Sequence, residues 1–339
     1  MEGRQPMGTS AVQIPRIWAN WIEENRALGV PPHQIDAILS ANGFDMSTFE
    51  NPAILQPESA DTPGTDRTLA RMQALLAVYA RLWREVRGAA SVDQVSGITG
   101  ETFFRWYYAA NRPVVLLDGM TRCAALRSWT PDSLKARFGN EPVEVMTERA
   151  QDEQYELNSE RHKTIMQLNQ FVDLVQSSGE SNDFYMVANN RTLEHSRLGY
   201  LMDEIQVFDE ILDNTNRASK VFIWFGPSGT VTPLHHDSMN VLLTQIIGSK
   251  LITLIPSFEL PLVYNHVGVY SEVDCEQPDY SRYPLFQHTS RVQVVLEPGQ
   301  ALFIPVGWWH HVRSLDVSIS VSFTNFHAPN DYTTEFGGY

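Results

Sequence analysis

The chain has 339 residues, 43% of them hydrophobic, and carries a formal net charge of −15. That length supports a large domain with a sizeable core, and the acidic balance argues against a surface that tracks nucleic-acid phosphates. The chain contains no apolar run of the roughly 18 residues that a membrane span needs, and its start, MEGRQPMGTSAVQIPR, lacks the pattern of a secretory leader. A cytoplasmic protein with no membrane or nucleic-acid partner is therefore expected. The two cysteines, Cys123 and Cys275, sit in no CxxC or His/Cys cluster, which excludes a disulfide framework and a structural zinc site.

In chain order, residues 17–43 read as two short helices. Trp18, Trp21, Ile22 and Leu28 recur at helical spacing, Pro31 and Pro32 suit a second helix start, and Gly43 suits its end. The Pro-rich, polar stretch from Asn51 to Asp66 reads as a linker. From Asp66 to Arg87 a long helix is expected, capped by Thr65 or Asp66, with Leu69, Met72, Leu76, Tyr79, Leu82 or Trp83 and Val86 on one face. Such a stripe suits packing or dimerisation. The division expected is 1–64, helical region and linker; 65–100, long helix and connection; 101–330, the main domain; and 331–339, a tail.

Within the main domain, RPVVLLDG (112–119) and EPVEVMTE (141–148) read as strands, and WTPDSLKARFG (129–139) and MQLNQFVDLVQSS (166–178) as helices. From Asp183 onward strands dominate: DFYMVAN, KVFIWFG, NVLLTQIIG, KLITLIP, RVQVVLEPG, ALFIPVG, HHVRSL and VSISVSFTNF. Short strands parted by Gly and Pro turns indicate an antiparallel sandwich or barrel.

Two histidine pairs stand out, in TPLHHDSMN (232–240) and in GWWHH (307–311). In a strand, residues two apart face the same way, so His235 and Asp237 can approach one ion while His236 points elsewhere. A His-x-Asp edge needs one more histidine to make the facial set of two imidazoles and a carboxylate that suits non-haem iron(II) in oxygen chemistry. That ligand should come from a distant strand of the same barrel, and GQALFIPVGWWHHVRSL offers His310 or His311; position alone does not choose between them. Lys250 is one of four lysines and opens the apolar strand KLITLIP, where an ammonium needs an anionic partner.

The segments 226–256 and 297–323 resemble the JmjC or cupin-8 family of iron(II) and 2-oxoglutarate dependent oxygenases. They look most like its hydroxylase-type branch, which includes the asparaginyl hydroxylase that inhibits hypoxia-inducible factor. The likeness runs over roughly 103–326, and SEVDCEQPDYSRYP in the Tyr-rich insertion 263–284 also favours that branch. It implies a mainly β fold with α: a double-stranded β-helix (jelly-roll, cupin) core with flanking helices and the N-terminal helical region. The resemblance makes His235, Asp237 and His310 the iron ligands and catalytic centre, and Lys250 the residue that binds the distal carboxylate of 2-oxoglutarate. Thr232 and Tyr185 are implied to help hold that carboxylate. Asn240 and Ser322 are two further positions beside the cosubstrate. Relatives often carry an asparagine six residues after the first ligand, where this chain has Val241 and places Asn240 one position earlier.

The implied cofactors are Fe(II), 2-oxoglutarate and O2. The implied activity is hydroxylation of an amino-acid side chain in a protein or peptide, with 2-oxoglutarate converted to succinate and CO2. Other readings are hydroxylation of a free amino acid or natural-product intermediate, demethylation of N-methyl-lysine, and a non-catalytic cupin-like binding module. The insertion 263–284 could cover the site or stand as a solvated loop. The N-terminal helices could contribute a homodimer contact, a partner contact or peptide recognition.

Overall fold

A computed structural model describes residues 18, 21, 22, 25, 26, 30–44, 63–85, 91–121, 123–187, 192–195, 197–205 and 207–334. The stretch expected as a linker, 51–62 in particular, and the last five residues of the tail lie outside the described residues. Among the described residues no helix is long and apolar enough to cross a membrane.

Fourteen strands form among the described residues: β1 (Asp93–Val95), β2 (Val114–Leu116), β3 (Pro142–Met146), β4 (Lys163–Gln167), β5 (Val221–Gly226), β6 (Val231–His235), β7 (Val241–Ile247), β8 (Lys250–Ile255), β9 (Asn265–Val267), β10 (Tyr270–Ser271), β11 (Val292–Leu296), β12 (Ala301–Ile304), β13 (Trp309–Ser314) and β14 (Ser318–Phe323). Two six-stranded sheets, in the orders β1-β2-β12-β7-β14-β5 and β11-β8-β13-β6-β10-β9, bear out the antiparallel sandwich that the strand-rich second half predicts and form the double-stranded β-helix that the resemblance implies. Strands β3 and β4 form a separate hairpin-like pair. Central strands β7 and β8 are buried along almost their whole length, which is why they read as mainly apolar runs; β14, SISVSF, is buried throughout although serines alternate with its apolar residues.

Four helices matter to the site's surroundings: α1 (Pro32–Ala41), α2 (Pro63–Glu85), α3 (Pro131–Phe138) and α4 (Leu168–Ser177). Helix α3 is closed at its start by a reciprocal Thr130–Ser133 capping box. Helix α1 begins at the double proline, and Gly43 beyond its end takes the left-handed φ of +85° that glycine tolerates. The N-terminal unit is not detached. Trp21, Ile22, Val30, Ile35 and Leu39 form its own small core, Trp21 Nε1 donates to the Arg282 carbonyl (3.0 Å), and the Tyr264 hydroxyl donates to Asn25 (3.2 Å).

Two expectations need correction. Over its described residues, 183–187, DFYMVAN forms no strand: Tyr185 pairs with Met146 at the end of β3, and Met186 with Phe225 in β5. The segment crosses from the hairpin to the large sheet and leaves each after one residue, so it cannot extend a ladder. The apolar face of α2 is also less covered than its periodicity implies. The helix docks through its last turns, with Trp83 edge-on to Trp308 (centroids 5.5 Å) and Arg84 bonded to the buried Glu259 (3.2 Å). Leu69, Met72, Tyr79 and Leu82 remain about half exposed.

The main core is dense where the first sheet meets the flanking helices. Phe303 is fully buried among Phe103 (centroids 4.9 Å), Tyr108 and Phe326. Phe303→Ala should cost about 3–5 kcal/mol, because the surrounding rings cannot collapse into the space. Urea unfolding of the variant against the parent checks this figure.

Candidate active site

The site begins with a departure from regular strand pairing. His310 of β13 lies opposite His235 of β6, yet Val312 lies opposite Thr232, so β6 spends three residues where β13 spends two. This bulge falls at Pro233–Leu234, and proline, which donates no backbone hydrogen bond, suits such a place. In an unbroken strand Thr232 and His235 would face opposite ways; the extra residue brings both to the same cavity.

That cavity, about 340 Å3, is lined by His235, Asp237, His310, Lys250, Thr232, Tyr185 and Ser322 together with apolar side chains that include Val241, Leu243 and Ile304. The ligand atoms of His235, Asp237 and His310 lie within 4.8 Å of one another. The imidazole rings are 4.0 Å apart between centroids, and His310 Nε2 stands 3.6 Å from Asp237 Oδ2. Both rings are fixed by the backbone, His235 Nδ1 against the Pro233 carbonyl (2.7 Å) and His310 Nδ1 against the Trp308 carbonyl (3.0 Å). A carbonyl only accepts, so each Nδ1 carries the proton and each Nε2 presents a lone pair. Two neutral imidazoles and one carboxylate on one face fit a six-coordinate divalent metal with open positions.

Burial shapes the charges. It holds the His310 imidazole well below the ordinary histidine range, with His235 adding to the effect. It pushes the Asp237 carboxyl above the usual carboxylate range, against the pull of His235 and His236. Each adjustment disfavours net charge in the cluster.

At the other end of the cavity, Lys250 opens β8 and is 2% exposed. Its Nζ donates to the Tyr185 hydroxyl (2.8 Å); among the described residues it has no ion-pair partner, and burial lowers its pKa to about 7. An ammonium placed so fits a ligand carboxylate. Ser322 accepts from Trp224 Nε1 (2.9 Å) and keeps its own proton to donate.

Three expectations are sharpened or corrected. Asn240 does not line the cavity; its amide bonds to the Val306 N–H (2.9 Å) and to Asn330 (2.9 Å), so the geometry gives it no cosubstrate contact. His236 and His311 turn away from the cluster but into protein, each 4% exposed, with His236 edge-on to Trp309 (4.7 Å). The insertion does reach the site, because Tyr270 of β10 pairs with His235 and lines the cavity with Val269. Sequence reading overlooked Trp224 and Thr324, which also line it. The alternation in KVFIWFG is the one signal that could have turned Trp224 inward.

A double-stranded β-helix whose cavity holds a His-x-Asp…His cluster and a buried lysine has the architecture of a cupin-type candidate metal site. The profile of the Cupin-like domain matches residues 100–332, and the chain belongs to that family, which includes the JmjC iron(II) and 2-oxoglutarate oxygenases. It is 33% identical over 239 residues to Lysine-specific demethylase JMJ30 of Arabidopsis thaliana, covering 68% of this chain and 54% of that protein. It is 32% identical over 230 residues to Lysine-specific demethylase 8 of Xenopus tropicalis (66% and 50%). Over 258 residues it is 27% identical to tRNA wybutosine-synthesizing protein 5 of Gallus gallus (71% and 79%). The chain thus spans about half the length of the first two relatives. Their names point to demethylases and a tRNA-modifying protein rather than to the asparaginyl-hydroxylase branch.

A lysine whose folded pKa lies below its unfolded value binds fewer protons in the native state, so native stability rises with pH between about 7 and the ordinary lysine value of 10.5. Lys250→Met removes that dependence. Urea unfolding of parent and variant at both ends of this window should show the stability gap moving in the parent's favour as pH rises; a constant gap would mean that Lys250 stays charged in the empty protein.

Proposed function

We propose that this chain is an Fe(II)- and 2-oxoglutarate-dependent dioxygenase that hydroxylates an amino-acid side chain in a protein or peptide. The observation that carries the reading is the buried Lys250 ammonium, with no carboxylate partner among the described residues, in the same cavity as the three metal-type donors. Bound iron would supply activation of dioxygen coupled to decarboxylation of the oxo acid to succinate and CO2.

The chain's own residues do the rest. His235, Asp237 and His310 would hold the metal through two imidazole nitrogens and a carboxylate. Lys250, with the hydroxyls of Tyr185 and Thr232, grips the distal carboxylate by charge-assisted and neutral hydrogen bonds. The apolar walls at Val241, Leu243 and Ile304 exclude water, and the Tyr270 edge of the insertion closes over His235. A non-catalytic binding module is disfavoured by the complete donor set together with the lysine.

A second reading, demethylation of N-methyl-lysine, is favoured by the names of two relatives. It uses the same chemistry at an N-methyl carbon, so the residues above serve either reaction. Mass spectrometry of peptide products separates the two: hydroxylation adds one oxygen, whereas demethylation removes a methyl group and yields formaldehyde.

Two variants test the assignment. Lys250→Ala should raise the KM for 2-oxoglutarate by about 10–100-fold, as loss of a charged hydrogen bond implies, while Mn(II) affinity stays within about twofold. Asp237→Ala should abolish succinate formation from 2-oxoglutarate. Unaltered cosubstrate KM in the first variant, or retained turnover in the second, would remove that residue from its role.

A further inference from the structure

Asp237 does not sit in a strand. β6 ends at His235 and β7 begins at Val241, so the carboxylate of the cluster rides on the five-residue loop 236–240. What holds that loop therefore decides where the carboxylate stands. Its most extensive support comes from the far end of the described chain.

Asn330 Oδ1 accepts from both the backbone N–H (2.8 Å) and the side-chain amide (2.9 Å) of Asn240, and from the Tyr108 hydroxyl (3.2 Å). Asn330 Nδ2 donates to the carbonyls of Asn240 (2.9 Å) and Thr324 (2.9 Å). Asn240 Oδ1, left free by this arrangement, accepts from the Val306 N–H (2.9 Å) in the turn that leads to His310. The next residue of that turn closes the ring, with the Gly307 N–H donating to the Asp237 carbonyl (3.1 Å). Tyr332 adds a parallel bond to the Ser238 carbonyl (3.1 Å).

We infer that Asn330 is a positioning residue for the metal cluster: through Asn240 it ties the Asp237 loop to the turn before His310 and fixes the distance between the carboxylate and the second imidazole. The inference rests on the reading of His235, Asp237 and His310 as a metal centre. Asn330 does not line the cavity, so its effect passes through the loop. An amide is required: only a side chain with both an acceptor and a two-hydrogen donor can serve Asn240 N–H, Asn240 C=O and Thr324 C=O together.

The test compares the full chain with Asn330→Ala, Asn330→Asp and Phe171→Leu, the last a core substitution remote from the loop that serves as a matched destabilised control. Mn(II) affinity is titrated well below each melting temperature, and amide hydrogen exchange is followed at Val306 and Gly307 in the metal-free protein. Asn330→Ala should weaken Mn(II) binding by about 10–100-fold, the range for groups that orient a ligand, and speed exchange at both amides. Asn330→Asp, which keeps the acceptor oxygen, should fall between Asn330→Ala and the parent, and Phe171→Leu should leave affinity and both amides unchanged. Parent-like affinity and exchange in Asn330→Ala, or an equal affinity loss in Phe171→Leu, would overturn the inference. A parent chain that bound no Mn(II) would overturn the metal reading, and the exchange arm would still decide the clasp.

Discussion

The pairing of His235 with His310 across β6 and β13, offset by one extra residue in β6, is the constraint on which the site depends. It brings two imidazoles from residues 75 positions apart in the chain to 4.0 Å between centroids. The same offset turns Thr232 into the cavity and leaves the Pro233 carbonyl where His235 Nδ1 can bond it. The rest of the double sheet holds this register: β13 is zipped to β8 over six residues on its other side. A slip of one residue would invert every side chain in the strand. The buried apolar residues of β8 and β13 make such a slip expensive, so ordinary core packing maintains the precision that the cluster needs.

The helical additions act on the same strand from behind. Trp308 precedes Trp309 and His310, and its indole N–H donates to Asn111 Oδ1 (2.8 Å) while its ring receives Trp83 of α2. Asn111 in turn donates to the Val306 carbonyl (3.0 Å). The turn that delivers His310 is thereby held by groups from three distant parts of the chain. This is a physical reason for α2 to dock by its last turns, even though much of its apolar stripe stays in contact with solvent.

Much of the fold was legible because it follows short-range rules. The proline-led start of α1, Gly43 after its end and the apolar runs of β7 and β8 each depend on neighbours within a few residues. The cluster was legible for the same reason in part: alternation places His235 beside Asp237. What alternation could not supply was the choice of His310 over His311, which rested on resemblance and is now seen in the register with His235. Asn240 was misread because its partners, Val306 and Asn330, lie 66 and 90 residues away and nothing local marks them. DFYMVAN was misread because β propensity reports a suitable surface, not whether a neighbouring strand stays alongside for more than one residue. The burial of His236 and His311 escaped for a similar reason, since a polar residue beside a ligand looks solvent-facing until Trp309 and β8 are packed against it.

Charge balance links the empty cavity to the proposed chemistry. Two of its four charged lining residues are already matched, Glu156 by Arg149 (3.0 Å) and Lys163 by Glu160. Asp237 and Lys250 are not matched to each other, because they occupy opposite ends of the cavity, and burial presses both toward their neutral forms. A divalent cation beside Asp237 would leave a single positive charge there, and ionised Lys250 adds another at the far end. A dianion with one carboxylate at each end cancels both, whereas a monocarboxylate leaves one of them buried and uncompensated. On the proposed reading Lys250 would select for a second carboxylate by the cost of its own desolvation as much as by the bond formed, and the apolar walls between the two ends would raise that cost.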